Sequence, residues 1–211
     1  MKTDDLIRAL AADSAPRPSV ERRLAATLLA GIAVAAIVFA VVLGPRPDIA
    51  QVAGDFGFLF KFVVTLTLAF TACWLLLRLA RPGVEAGVAS VALLAAPAML
   101  AAVVTMEWMS VDPALRMARL VGTSWPTCLL FIPMLSLPIL AAALLALRHG
   151  APTRPALAGA VAGLVAGGFG AAIYAAYCLE NSALFLATWY SLAIVGVAVA
   201  GAGIGARLLR W

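Results

Sequence analysis

Six long runs of apolar residues, separated by short polar links, dominate the hydrophobic pattern of the chain. A helix needs about 20 such residues to cross the hydrocarbon core of a bilayer. The runs that meet this length cover residues 24–43, 56–77, 87–107, 127–147, 156–178 and 185–206. The pattern therefore predicts an all-α fold, in which residues 24–211 form a bundle of six transmembrane helices and residues 1–23 form a tail.

The composition supports a membrane protein and argues against a soluble one. Of the 211 residues, 64% are hydrophobic and 12% are charged, whereas about 25% are charged in soluble domains. The net charge of +5 is spread between the apolar runs and not gathered in a patch. Nucleic-acid binders concentrate their basic residues on one face, so we expect no direct contact with nucleic acid.

The distribution of Lys and Arg predicts the orientation, because cytoplasmic loops carry more of these residues. Four of the 15 basic residues fall on one side: Arg46, Lys61, Arg116 and Arg119. The eleven on the other side are Lys2, Arg8, Arg17, Arg22, Arg23, Arg78, Arg81, Arg148, Arg154, Arg207 and Arg210. Both chain ends are therefore predicted to lie in the cytoplasm.

The longest link and the glycine-rich spans carry further structural signals. Asp112 is a good N-cap, Pro113 suits the first helical position and Gly122 can end the helix, so a short interfacial helix is expected there. Glycines recur every fourth residue in the fifth and sixth spans, at Gly159, Gly163, Gly167, Gly201 and Gly205. Such rows let helices approach closely, and we interpret them as packing within one bundle.

The tail contains a short amphipathic pattern. Thr3 can cap a helix whose first turn holds Asp4 and Asp5, where negative charge is favourable. An apolar stripe follows, formed by Leu6, Ile7 and Leu10. A helix of about three turns is marginally stable alone, so it needs a surface. The membrane and a groove on a partner protein both remain open at this point.

Few residues can carry catalytic chemistry. The single histidine, His149, lies in a short loop, and no hydrolase, phosphate-binding or C-x-x-C motif is present. An enzyme is not expected, and no cofactor is predicted. Lys61 and Glu107 fall within about a turn or so of span ends, where long side chains can reach the interface. No ion path is therefore evident, although a carrier of neutral substrates would not need one.

Two cysteines lie at matching heights in adjacent predicted helices. Cys128 begins the fourth span and Cys178 ends the fifth, and these spans form an antiparallel hairpin. Both thiols should therefore reach the outer face, either as a functional pair or as ordinary packing residues. A disulfide and a soft metal ion are alternative uses, the latter with Glu180 or with Met106, Met109 or Met117. Cys73 is expected to be an inert buried thiol.

Four segments carry a further signal when they are taken together. They are Met1-Lys2-Thr3-Asp4-Asp5-Leu6-Ile7, Trp125-Pro126-x-Cys128, Gly150-Ala151-Pro152-Thr153-Arg154-Pro155, and Tyr177-Cys178-x-Glu180-Asn181-Ser182 continuing to Trp189-Tyr190. In their order and spacing these segments resemble the NrsF family of bacterial anti-sigma factors. The resemblance spans the whole chain. It implies a six-span protein of the bacterial inner membrane that holds an extracytoplasmic-function (ECF) sigma factor of the SigF type away from RNA polymerase.

The resemblance also implies roles for residues. Heavy metals or oxidants would act through outer-face cysteines, and Cys128 and Cys178 occupy the matching motifs. Glu180 and Met117 are auxiliary candidates for a heavy-metal ion at that face. Since the tail is too short for a folded domain, sigma binding would rest on Asp4, Asp5, Leu6, Ile7 and Leu10. The competing hypotheses are a small transporter or channel, and an accessory subunit of a membrane complex.

Overall fold

A computed structural model describes residues 3, 5, 20–81, 87–150 and 152–209. The helices, in chain order, are α1 (Val20–Val42), α2 (Ile49–Val52), α3 (Phe56–Leu79), α4 (Gly87–Ala92), α5 (Ala95–Ser110), α6 (Pro113–Val121), α7 (Trp125–Leu147), α8 (Pro155–Ala175), α9 (Ala183–Phe185) and α10 (Ser191–Leu208). A π-helical segment, Leu186–Tyr190, joins α9 to α10. The described residues contain no strand.

Six of the helical stretches are long and apolar enough to cross a membrane. They are formed by α1, by α3, by α4 with α5, by α7, by α8, and by α9 with the π-helical segment and α10. The predicted all-α membrane bundle is confirmed. The boundaries differ from the predicted ones by a few residues, and one difference matters: α8 ends at Ala175, so Cys178 lies in the following loop.

The third span is broken between α4 and α5, at Leu93 and Leu94. Pro97 explains the break, because a proline has no N–H to donate and its ring clashes with the carbonyl four residues earlier. That carbonyl belongs to Leu93. Pro97 is the third residue of α5, within the first turn, where a missing N–H leaves no bond unmade.

Helix α8 lies at the centre of the bundle and packs against α3, α7 and α10. A Cβ atom added at Gly159 would overlap the carbonyl of Gly201, and one added at Gly163 would overlap the backbone of Ala198. Side chains larger than hydrogen would therefore separate α8 from α10. The glycine rows serve packing within the bundle, as the spacing predicted.

The bundle has two ends, named here by their contents. The terminal end holds the start of α1 and the end of α10, with an ion pair between Arg81 and Glu21. The cysteine end holds α6, whose N-cap Asp112 accepts a hydrogen bond from the Ala114 N–H at 2.9 Å. Gly122 ends α6 with a positive φ of 58°, so the helix predicted in this link is present, and its place at the membrane interface stays a prediction.

The predicted sigma-binding tail lies almost entirely outside the described residues. The residues outside the described part are Asp4, Leu6, Ile7 and Leu10, whereas Asp5 is helical and exposed. The role of the tail therefore stays a prediction.

Candidate functional site: a buried thiol pair

Two buried thiols meet at the cysteine end. Cys128 sits in the first turn of α7 and is 0% exposed, while Cys178 lies three residues beyond the end of α8 and is 1% exposed. Both side chains belong to one core cluster, and each is near enough to influence the ionisation of the other. Both cysteines are free thiols in this structure. Both cysteines belong to one core cluster at this end of the bundle, although Cys178 lies in the loop after α8 and not in the helix where it was expected.

Two tyrosines enclose the pair. The Cys128 thiol donates a hydrogen bond to the Tyr174 hydroxyl at 3.5 Å, and that hydroxyl also bonds Thr127 Oγ1 at 2.9 Å. Tyr190, the last residue of the π-helical segment, is 1% exposed and packs against Tyr174, with 5.8 Å between the ring centroids. It makes no hydrogen bond of regular geometry within the described part of the chain. The two thiols are therefore enclosed by the protein and have hydroxyl groups as neighbours.

Two cations approach the backbone of Cys178. Lys61 Nζ donates to the Cys178 carbonyl at 2.9 Å and to the Glu180 carbonyl at 3.0 Å. Arg46 Nη1 donates to the same Cys178 carbonyl at 3.3 Å. Arg46 is also paired with Asp48 by two hydrogen bonds of 2.7 Å. That pairing raises the pKa of Arg46 and lowers the pKa of Asp48.

The environment of Cys178 favours its ionised form. A hydrogen-bonding interaction with the Cys128 thiol is the main cause, and the charge of Lys61 adds to it. Burial acts in the opposite sense, but the pKa of the Cys178 thiol is nevertheless lowered from its ordinary value. Since the thiolate is the reactive form of cysteine, Cys178 is the better nucleophile at this site.

The loop of residues 176–182, called here the Cys178 loop, is tied to several other elements. The Arg46 N–H donates to the Ala176 carbonyl at 3.0 Å, and Asn181 Nδ2 donates to the Asp55 carboxylate at 2.8 Å. The Glu180 carboxylate accepts bonds from the Thr123 N–H and hydroxyl, both at 2.9 Å. A movement of this loop would therefore shift the groups that it bonds at the start of α3 and just before α7.

Glu107, on the third span, fixes the start of the sixth span. Its carboxylate accepts hydrogen bonds from the Ser182 hydroxyl at 2.8 Å and from the Ala183 and Leu184 N–H groups at 2.6 and 3.2 Å. Negative charge at a helix N-terminus satisfies free N–H groups and complements the helix dipole. Arg119 of α6 pairs with the same carboxylate at 3.2 Å.

An open cleft of about 680 Å³ lies beside the Cys178 loop, and Asp55, Glu107, Arg119 and Glu180 are among the residues that line it. Neither cysteine lines this cleft. Within the described residues, no group of three His, Cys, Asp or Glu side chains is placed to hold a metal ion. Of the auxiliary candidates, Glu180 is engaged with Thr123 and Met117 is 67% exposed.

The other sequence-based expectations fare differently. Cys73 lies among core residues grouped separately from those around the thiol pair, so the structure does not bring the three cysteines together. Lys61 does not extend to the interface as expected, because its ammonium group is enclosed by the Cys178 loop. The sequence analysis also assigned no role at the thiol pair to Tyr174, Tyr190 or Arg46. An ionisable residue within an apolar helix, Lys61, was the available sequence signal for a buried polar site.

The fold and the site define a class: a polytopic helical membrane protein with a thiol pair buried at one end of its helix bundle. The family model for NrsF, the negative regulator of sigma F, matches residues 10–211. The chain belongs to the NrsF family, which is a family of regulators and not of enzymes.

Two relatives match over their whole length and the whole of this chain. The anti-sigma-F factor NrsF of Caulobacter vibrioides (strain NA1000 / CB15N) is 38% identical. The probable anti-sigma-F factor NrsF of Azospira oryzae (strain ATCC BAA-33 / DSM 13638 / PS) is 35% identical. No solved structure matches.

Proposed function

We propose that this protein is an anti-sigma factor of the bacterial inner membrane that holds an ECF sigma factor of the SigF type in the cytoplasm. Heavy-metal or oxidative stress in the envelope changes Cys128 and Cys178, and the sigma factor is then released. Family membership supports the partner, because the relatives are anti-sigma-F factors by name. The observation that carries the sensing role is the burial of both thiols in one core cluster, beside the Tyr174 hydroxyl.

A reaction at the thiol pair can change the packing of the helices that the two cysteines contact. Cys128 belongs to α7, and Cys178 belongs to the loop that contacts α3 and the link before α7. In disulfide formation the two thiols give two electrons and two protons to an oxidant and form one S–S bond. A soft metal ion bound between the sulfurs would be the alternative reaction. Either event moves α7 relative to the Cys178 loop.

The sensing role is tested by single substitutions to serine. Cys128→Ser and Cys178→Ser are each expected to abolish or alter induction of a sigma-dependent reporter by metal or oxidant. Repression in unstressed cells should stay intact, because the sigma-binding surface lies elsewhere. Cys73→Ser is the matched control, and it should respond like the wild type. Normal induction in both Cys128→Ser and Cys178→Ser would refute the sensor.

The sigma-binding role of the tail is tested at its apolar stripe. Replacing Leu6, Ile7 and Leu10 together by Ala should weaken sigma binding strongly and make the reporter constitutive, since a few apolar anchors carry most of the binding energy in such interfaces. Binding is measured by pulldown of the sigma factor with the full chain and with the tail deleted. Full repression by the triple variant, at normal membrane levels, would place the binding surface elsewhere.

A further inference from the structure

Lys61 is a buried cation without a carboxylate partner in the described part of the chain. It is 2% exposed and lies within the second span. Its ammonium group is held by two backbone carbonyls and lies 5.3 Å from the centre of the Phe58 ring. Buried charges are costly unless they are paired. A residue that fixes only a loop would not need to carry a charge.

We propose that Lys61 is the positioning residue of the thiol pair: it holds the Cys178 loop through two carbonyls and keeps a positive charge beside the Cys178 sulfur. The inference rests on the proposed function, in which the thiol pair is the sensor, and adds a residue whose charge favours Cys178 as the thiol that reacts first. A cation beside a cysteine stabilises negative charge on sulfur. Cys178 is then the attacking sulfur and Cys128 the partner.

The other groups around Cys178 do not supply this charge. Arg46 reaches the same carbonyl, but its guanidinium is paired with Asp48. Cys128 is a thiol, and Tyr174 and Tyr190 contribute hydroxyl groups. The charged and titratable groups near Lys61 are Cys178, Arg46, Cys128 and Asp55, and no described carboxylate is within ion-pair distance of it. Lys61 is therefore the cation without an anionic partner at this site.

A charged role and a purely structural role predict different chemistry. If Lys61 only ties the loop, its loss changes how often the pocket opens, and this affects all small reagents alike. If its charge acts on the site, reagents of opposite or zero charge are affected differently. Iodoacetate and iodoacetamide are similar in size, and each is attacked by the thiolate to form a C–S bond with loss of iodide. The ratio of their rates therefore reports local charge.

The experiment uses the purified full-length chain carrying Cys73→Ser and Cys128→Ser, so that Cys178 is the remaining thiol. We expect the iodoacetate-to-iodoacetamide rate ratio to fall by at least ~3-fold in Lys61→Met, because a unit charge near the reacting sulfur is removed. Lys61→Arg keeps the charge and should retain the ratio. Arg46→Met, which removes the paired cation, should change it less than Lys61→Met does.

A second measurement needs no substitution at Lys61 and holds even if Lys61→Met does not fold. The chain with Cys128→Ser and Cys178→Ser leaves Cys73 as the reference thiol, which packs against a different core cluster from the one that contains Cys178. Cys178 should show a higher iodoacetate-to-iodoacetamide ratio than Cys73. An equal or lower ratio at Cys178, or an unchanged ratio in folded Lys61→Met, would overturn the proposal.

These outcomes are separate from the test of the proposed function. The rate ratio is measured on purified protein without a sigma factor, whereas the sensing role is measured as induction in cells. A Lys61-dependent ratio combined with normal induction in both cysteine variants would refute the sensor and leave the charge effect standing. A ratio independent of Lys61, combined with lost induction in the cysteine variants, would refute the charge effect of Lys61 and leave the sensor standing.

Discussion

Glu107 shows how a single carboxylate in a membrane protein can hold two spans together. It lies near the end of the third span, and three of the groups that donate to its carboxylate belong to the first residues of the sixth span and to Ser182 before it. The side chain is 13% exposed, so water replaces these bonds poorly. Hydrogen bonds to a charged group are stronger than neutral ones.

Removing this carboxylate should destabilise the bundle. Glu107→Ala is expected to cost about 2–3 kcal/mol, because buried N–H groups lose a charged acceptor, and Glu107→Gln should cost less since one oxygen acceptor remains. The thermal midpoint of the purified protein in detergent measures the effect. Arg119→Ala is the control: it removes an exposed ion pair to the same carboxylate and should cost less than about 1 kcal/mol. Equal losses for Glu107→Ala and Arg119→Ala would contradict the capping role.

At the scale of elements, the contact between α8 and α10 depends on the absence of side chains. Gly159 approaches Gly201 and Gly205 so closely that a methyl group has no room. Other glycines of α10 have different surroundings, and a Cβ atom at Gly203 would meet nothing within 4 Å. This pair of helices thus contains one glycine with no room for a side chain, Gly159, and one with open space beside it, Gly203.

This contrast gives a paired test of the helix contact. Gly159→Ala should destabilise the protein by about 1–3 kcal/mol, because overpacking forces the backbones apart. Gly203→Ala should be neutral or slightly stabilising, since alanine favours a helix more than glycine does. Thermal unfolding of the two variants is compared. Similar midpoints would mean that α8 and α10 are not in close contact in the membrane.

At the scale of the whole molecule, the proposed sensing role requires the cysteine end to face away from the cytoplasm. We expect phosphatase fusions after Asp48, Asp112 and Asn181 to be active, and fusions after Gly83, Gly150 and Trp211 to be inactive. The excess of Lys and Arg on the terminal side is the physical reason. Activity of the Gly150 fusion would reverse the orientation and place the thiol pair in the cytoplasm.

The two proposed roles, sensing and sigma binding, are assigned to opposite ends of the helix bundle. The thiol pair lies at the cysteine end, while the tail precedes α1 at the terminal end. Helices α3, α7 and α8 extend from one end to the other, and all three contribute to the surroundings of the thiols. Coupling between the ends would therefore run through movements of whole helices, since packed helices have few ways to deform locally.

The sequence by itself determined the class of the fold. Six apolar runs of spanning length leave no other arrangement, because backbone groups in lipid must be satisfied within helices. The spacing of Asp112, Pro113 and Gly122 predicted α6, and the hairpin of the fourth and fifth spans predicted matching heights for the two cysteines. These are local or periodic signals, and they do not depend on which helices become neighbours.

The tertiary structure decided the surroundings of the thiols. Lys61 is 117 residues from Cys178 along the chain, and Cys128 is 46 residues from Tyr174, so no periodicity links them. Near a span end, an isolated helix lets Lys61 extend to water, but the Cys178 loop covers that route and offers carbonyl groups instead. Burial and partners depend on distant segments folding onto each other. Helix periodicity fixes the spans, whereas only packing decides which polar side chains they enclose.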